Sequence, residues 1–123
     1  MQHSPEFENL VNDAKQRVRE VTVAEVAQWQ AAGKPFVLID VREDREFAAG
    51  HAAGSVHLGR GVIERDVVGQ FPDKATELVL YCGGGFRSAL AGDNVQRMGY
   101  RAVWSLAGGW KAWVAAGQPT TTD

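Results

Sequence analysis

Cysteine is almost missing from this chain: Cys82 is the only one in 123 residues. A lone thiol cannot close an internal disulfide or build a multi-cysteine metal site. No block of five or more basic residues occurs, and the formal net charge is −2. Binding to nucleic acid or to an anionic membrane therefore has no electrostatic footing. No apolar run approaches the roughly 20 residues of a membrane span. The start, Met1-Gln2-His3-Ser4-Pro5-Glu6, lacks the basic flank and apolar core of a signal peptide. Internal repeats and low-complexity segments are absent too. These absences predict a soluble protein of a reducing, cytoplasmic setting, where a free thiol persists.

What is present suits one domain with its own core. Apolar residues make up 45% of the chain and charged residues 23%, close to ordinary globular levels. Glycine is the excess, with 14 residues clustered near Cys82, His51, Gly59 and Trp110. Turns and close backbone approaches are expected there.

The hydrophobic pattern alternates between two periods. Phe7, Leu10, Val11, Ala14 and Val18 recur at helical spacing, with Pro5 near the start and Ser4 as a cap. This marks residues 1–17 as an N-terminal helical extension, either packed on the domain or used for self-association. A short strand over Val18 to Val21 follows. Thr22 and Glu25 form a capping-box pair, predicting a helix from Val23 to about Ala32. Phe36 to Ile39 reads as a buried strand ending at Asp40-Val41-Arg42. A short helix over Asp44 to Ala49 closes at Gly50, and Val56 to Leu58 is a brief strand. A weak helix spans 62–71. Leu78 to Tyr81 is the next buried strand, and a helix is predicted from Ser88 to Met98. Ala102 to Trp104 is a last strand, and Gly108-Gly109 turns into a terminal helix carrying Trp110 and Trp113. The tail, 120–123, is expected to fray. Strands alternating with helices predict an α/β fold: a parallel sheet of four or five strands with helices on both faces.

In such sheets ligands bind at the carboxyl ends of the strands. The segment Cys82-Gly83-Gly84-Gly85-Phe86-Arg87-Ser88 lies there, between a strand and a helix. Three glycines let the backbone curl and turn its N–H groups inward. A ring of such donors at a helix start binds anions and favours thiolates. Cys82 is the candidate nucleophile. Gly83, Gly84, Gly85, Phe86, Arg87 and Ser88 are the candidate binding cradle, with Arg87 as a permanent cation that attracts an anion. The alternative for Arg87 is a pair with a surface carboxylate. Ser88 reads as the helix N-cap rather than a catalytic hydroxyl. Asp40 and Arg42 read as supports at the sheet edge. His51 and His57 raise a Cys–His pair with Cys82, against a packing or hydrogen-bonding role for His57, and the tryptophans read as core.

This loop resembles the active-site loop of rhodanese-type sulfurtransferases: a cysteine, four residues, then arginine and serine. Further segments resemble the family in order. They are Leu38-Ile39-Asp40-Val41-Arg42-Glu43; Glu46-Phe47 through Gly50-His51, Gly54 and His57-Leu58; Gly99-Tyr100; and Leu106 through Gly108-Gly109-Trp110, with Trp113 and Gly117 to Pro119. The resemblance covers residues 18–119. It implies a sulfane-sulfur transferase of the thiosulfate sulfurtransferase type. The Cys82 thiolate would become a persulfide, and a thiophilic acceptor such as cyanide or a thiol would remove the sulfur. Donors would be thiosulfate or a persulfide, with a sulfur-carrying protein as a further partner. No metal or organic cofactor is implied, and both monomer and homodimer stay open. Two other readings share the fold. Cell-cycle-type phosphatases and arsenate reductases resemble rhodaneses, but the phosphatases place five residues between cysteine and arginine, against four here. Inactive binding modules of this fold commonly lack the cysteine. Positions 83, 84 and 86 carry no charge, so a low-molecular or protein persulfide competes with thiosulfate as donor.

Overall fold

The computed structural model describes residues 3–123. Six helices and seven strands follow the chain in the order α1 (Pro5–Lys15), β1 (Arg19–Val21), α2 (Val23–Ala31), β2 (Val37–Asp40), α3 (Asp44–Ala49), β3 (His51–Ala52), β4 (Val56–His57), α4 (Ile63–Gln70), β5 (Glu77–Tyr81), α5 (Phe86–Arg97), β6 (Ala102–Leu106), α6 (Gly109–Ala115) and β7 (Thr120–Thr121). Five strands form one parallel sheet in the order β1-β6-β5-β2-β4. The predicted α/β class with a central parallel sheet is what the chain adopts.

Local chemistry sets several boundaries. The Ser4 side chain accepts the Phe7 N–H at 3.1 Å, and Pro5 fills the first helical position. Thr22 and Glu25 complete the expected capping box. In β5, side chains alternate between two cores, as a strand buried on both faces requires. Leu78 and Leu80 join Ile39, Ile63, Val67, Ala91 and Val103 under α4 and α5. Val79 and Tyr81 join Val21, Val26, Leu106 and Trp113 under α2 and α6.

The N-terminal helix packs on the domain. Val11 and Ala14 are buried against Ala89 and Leu90 of α5. The Arg17 guanidinium donates to both carboxylate oxygens of Asp93 at 2.9 and 2.8 Å, and also to Asp13. Leu10, placed by its spacing on the same face, is instead 54% exposed. A helix crossing a single neighbour covers a narrower stripe than the spacing pattern suggests.

One expectation at the chain end is corrected. Thr120–Thr121 does not fray; it pairs antiparallel with His51–Ala52. The Trp113 indole N–H donates to the Pro119 carbonyl at 2.9 Å, which brings the tail back to that strand. Among the described residues no helix is long and apolar enough to cross a membrane.

Candidate active site

β5 is the middle strand of the sheet, and Cys82 follows directly at its carboxyl end. The chain then turns through the glycines into α5. Gly85 is the N-cap of that helix at φ 99°, in the left-handed region that favours glycine. Helix α5 therefore starts at Phe86, two residues before the expected Ser88. Ser88 is not the cap. It lies within the first turn, fully buried, with its side chain turned toward the cysteine.

Donors converge on the sulfur. The Gly85 N–H lies 3.1 Å from Cys82 Sγ and the Ser88 N–H 3.4 Å. The Ser88 hydroxyl is 3.5 Å from Sγ and shares a 2.7 Å bond with the Ser105 hydroxyl of β6. A hydroxyl can give its proton to only one acceptor, so a proton from Ser105 leaves the Ser88 proton free for a sulfur anion. Such fixed dipoles stabilise negative charge without reorganising. Ser105 is fully buried, and nothing in its local sequence separates it from an ordinary strand serine.

The outer side of the loop is held by α6. The Trp110 N–H donates to the Cys82 carbonyl at 2.7 Å, and the Lys111 N–H to the Gly83 carbonyl at 3.2 Å. These are first-turn N–H groups that lack partners inside their own helix. Gly109, at φ 53°, permits this approach: a Cβ there would collide with the Cys82 carbonyl oxygen. With its carbonyls drawn outward, the loop presents N–H groups to the sulfur.

Arg87 leans over the loop at its mouth. Its terminal nitrogen would lie 3.3 Å from a Cβ placed on Gly83. It also pairs with Glu46 of α3, at 3.0 and 3.3 Å, and each side chain is about one-third exposed. Of the two readings of Arg87, the carboxylate pair is the one the fold shows, at the mouth of the loop. The Arg87 hydrogen bond holds the Glu46 carboxyl below the usual range, against the opposing effect of partial burial.

Asp40 and Arg42 form a different pair. The Arg42 guanidinium donates to Asp40 at 2.8 and 3.1 Å and to the Gly50 carbonyl at 2.6 Å, and the Arg42 N–H binds Asp40 at 2.9 Å. Their side chains are 0% and 4% exposed. These bonds tie the end of β2 to the exit of α3. None of them reaches the Cys82 loop. His51 stacks on Phe47 at 3.6 Å, and one of its ring nitrogens lies 2.8 Å from the Phe47 carbonyl. His57 lies 2.8 Å from the Arg42 carbonyl. Neither ring touches the sulfur.

Cys82 is 1% exposed and sits on the floor of a cavity of about 830 Å³. Gly83, Gly84, Phe86 and Arg87 of the loop line it, together with Glu43, Arg45, Glu46 and Lys111. His3, Ser4, Phe7 and Glu8 from the start of the chain line it too. Sequence reasoning missed Glu46, Lys111 and these α1 residues, because their approach is set by packing. Among the described residues, no cluster of three or more metal-ligating side chains occurs.

The sequence matches a known family. The profile of the Rhodanese-like domain matches residues 22–116. The chain belongs to the rhodanese-like domain family. It is 31% identical over 102 residues to YtwF of Bacillus subtilis, which carries a sulfurtransferase name, covering 83% of this chain and 96% of that one. MoeZ of Mycobacterium tuberculosis, named as an adenylyltransferase/sulfurtransferase, is 32% identical over 113 residues. That match covers 89% of this chain but only 29% of the relative. A solved structure from Rhodopseudomonas palustris, a protein of unknown function whose name suggests a tyrosine phosphatase, superposes with a TM-score of 0.86. It is 29% identical and covers 98% of both chains.

Proposed function

We propose that this protein is a sulfurtransferase that carries sulfane sulfur on Cys82. The observation that carries this reading is the convergence of the Gly85 and Ser88 N–H groups on Sγ, with one cysteine on the cavity floor. The names of YtwF and MoeZ agree with it. The Cys82 thiolate attacks the outer sulfur of a donor. A bond forms between the two sulfurs, and the donor's own bond to that sulfur breaks. Thiosulfate leaves as sulfite, and an organic persulfide leaves as its thiolate. Cyanide or a thiolate then attacks the terminal sulfur of the Cys82 persulfide, departs as thiocyanate or a new persulfide, and returns Cys82 as a thiolate. This is nucleophilic catalysis in two half-reactions. The loop N–H groups act as the anion hole, and Arg87 draws the charged donor inward. A thiol that must stay reduced between turnovers suits a cytoplasmic setting.

The phosphatase reading has the name of the Rhodopseudomonas structure in its favour. One feature weighs against it. Four residues separate Cys82 from Arg87, a short ring for a tetrahedral oxyanion. The test pairs thiosulfate-to-cyanide transfer with aryl phosphate hydrolysis, in the wild type and in Cys82→Ser. The expected result is transfer that vanishes in a folded Cys82→Ser and no Cys82-dependent hydrolysis. Transfer persisting in the folded variant, or efficient Cys82-dependent hydrolysis without transfer, overturns the proposal.

A further inference from the structure

Helix α1 lies outside residues 22–116, the span matched by the family, yet its first turn borders the same cavity as Cys82. It is fixed there rather than merely near. Val11 and Ala14 are buried on α5, and the Arg17–Asp93 pair clamps the far end. The Gln96 amide N–H also donates to the Arg17 carbonyl at 3.0 Å. Because α5 begins at the cysteine loop, fastening α1 to α5 sets its first turn against the loop. There His3 stands 4.5 Å from the Phe86 ring centroid and 5.0 Å from that of Phe7, and the Phe7 and Phe86 rings are 6.1 Å apart. Three rings thus make a wall that ends at Phe86, one residue before Arg87.

The cavity offers more than a small inorganic dianion such as thiosulfate uses. Its volume of about 830 Å³ lies in the range that holds organic ligands of drug size. Its charges are balanced: Arg45, Arg87 and Lys111 are matched in number by Glu8, Glu43 and Glu46 among its lining residues. A dianion would meet as many carboxylates as cations, and Arg87 is already shared with Glu46. A molecule carrying both an ammonium and carboxylates satisfies both sets. Peptide planes and methylenes pack on aromatic faces, and the ring wall supplies them.

We propose that the first turn of α1, through Phe7 and Glu8, is a specificity wall for the organic body of a peptide-like thiol. That molecule enters either as a persulfide donor or as the thiol acceptor. The proposal rests on the sulfurtransferase reading and deepens it. The bond changes are those already given: the donor's sulfur–sulfur bond breaks as the Cys82 bond forms, and the released thiolate needs no outside oxidant or reductant.

The experiment uses the full chain and three reactions: thiosulfate to cyanide, glutathione persulfide to cyanide, and thiosulfate to glutathione. It compares the wild type with Phe7→Ala, Glu8→Gln and Leu10→Ala. Leu10 lies on the same helix, exposed and away from the cavity, so its variant controls for general loosening of α1. The readout is the ratio of kcat/KM for each glutathione reaction to that for thiosulfate and cyanide. Phe7→Ala is expected to lower at least one ratio fivefold or more, mainly through KM, and Glu8→Gln to lower the same ratio about threefold. Leu10→Ala is expected to leave both ratios in place. A fall in the persulfide ratio assigns the wall to the donor, and a fall in the glutathione ratio assigns it to the acceptor. If all three reactions change by one common factor in Phe7→Ala and Glu8→Gln, or if the ratios stay within twofold, the wall proposal is overturned while the sulfurtransferase reading stands. No transfer in any reaction by the wild type overturns both.

Discussion

Arg42 and Arg87 each bind a carboxylate at the carboxyl edge of the sheet, but water reaches only one of the pairs. Asp40 and Arg42 are 0% and 4% exposed, and Arg42 is held additionally by the Gly50 carbonyl. Glu46 and Arg87 are about one-third exposed and stand at the mouth of the Cys82 cavity. The buried pair has no route to another partner, so it acts as a fastener between β2 and α3. The open pair has low cost of exchange, because water and ions can replace either member. The same pairing of an arginine with a carboxylate thus serves rigidity in one place and an adjustable charge in the other. What separates them is desolvation rather than the charges involved.

The comparison breaks first at the buried pair. Asp40→Ala leaves Arg42 charged and unpaired in the interior, and about 3–5 kcal/mol of stability should be lost. Urea unfolding measures this, and a loss below about 1 kcal/mol would remove the distinction between the pairs. Arg87→Ala should behave in the opposite way. Its unfolding free energy should change by no more than about 1 kcal/mol. Its kcat/KM for thiosulfate should fall about tenfold or more, as expected for a charge-assisted contact of about 1.5–3 kcal/mol. A neutral donor should lose less. Equal losses with charged and neutral donors would make Arg87 structural.

Glu46→Gln should give the smallest effect. It frees the guanidinium, so thiosulfate turnover should rise about two- to fivefold, the range set by an exposed pair. The variant also has a pH signature. Glu46 has a lowered pKa in the fold, chiefly through its hydrogen bond from Arg87. Its stabilising contribution is therefore present above the unfolded value of about 4.5 and is lost as pH falls through the lower folded value. Unfolding curves of wild type and Glu46→Gln should differ slightly near neutrality and converge in acid. A gap that widens in acid would contradict the assigned cause.

Most of the framework was readable because it rests on local signals. The Thr22–Glu25 capping box, the Ser4 cap and the apolar run of β5 each act within a few residues. The strand-glycine-helix passage marked the Cys82 loop for the same reason. What escaped depends on distance along the chain. Glu46 meets Arg87 across 41 positions, and Ser105 reaches Ser88 across 17. No periodicity encodes either contact. The start of α5 was misplaced because three consecutive glycines do not reveal which one takes the left-handed conformation; Gly85 does, and the helix opens at Phe86. The Thr120–Thr121 pairing escaped because two residues carry no strand pattern, and only the returning tail creates their partner. The tie between Gly109 and the Cys82 carbonyl is equally invisible to spacing, since it arises where α6 docks on the loop.

The central claim is that Cys82 carries the sulfur between two half-reactions. As the only cysteine, it has no neighbouring thiol in the chain to resolve a persulfide, so the intermediate should persist until an acceptor arrives. The protein is incubated with donor and no acceptor, quenched rapidly, and its intact mass is recorded under non-reducing conditions. The account predicts a gain of one sulfur atom, absent in Cys82→Ser and reversed by cyanide. Robust turnover with no such adduct would contradict it and point to direct transfer between donor and acceptor.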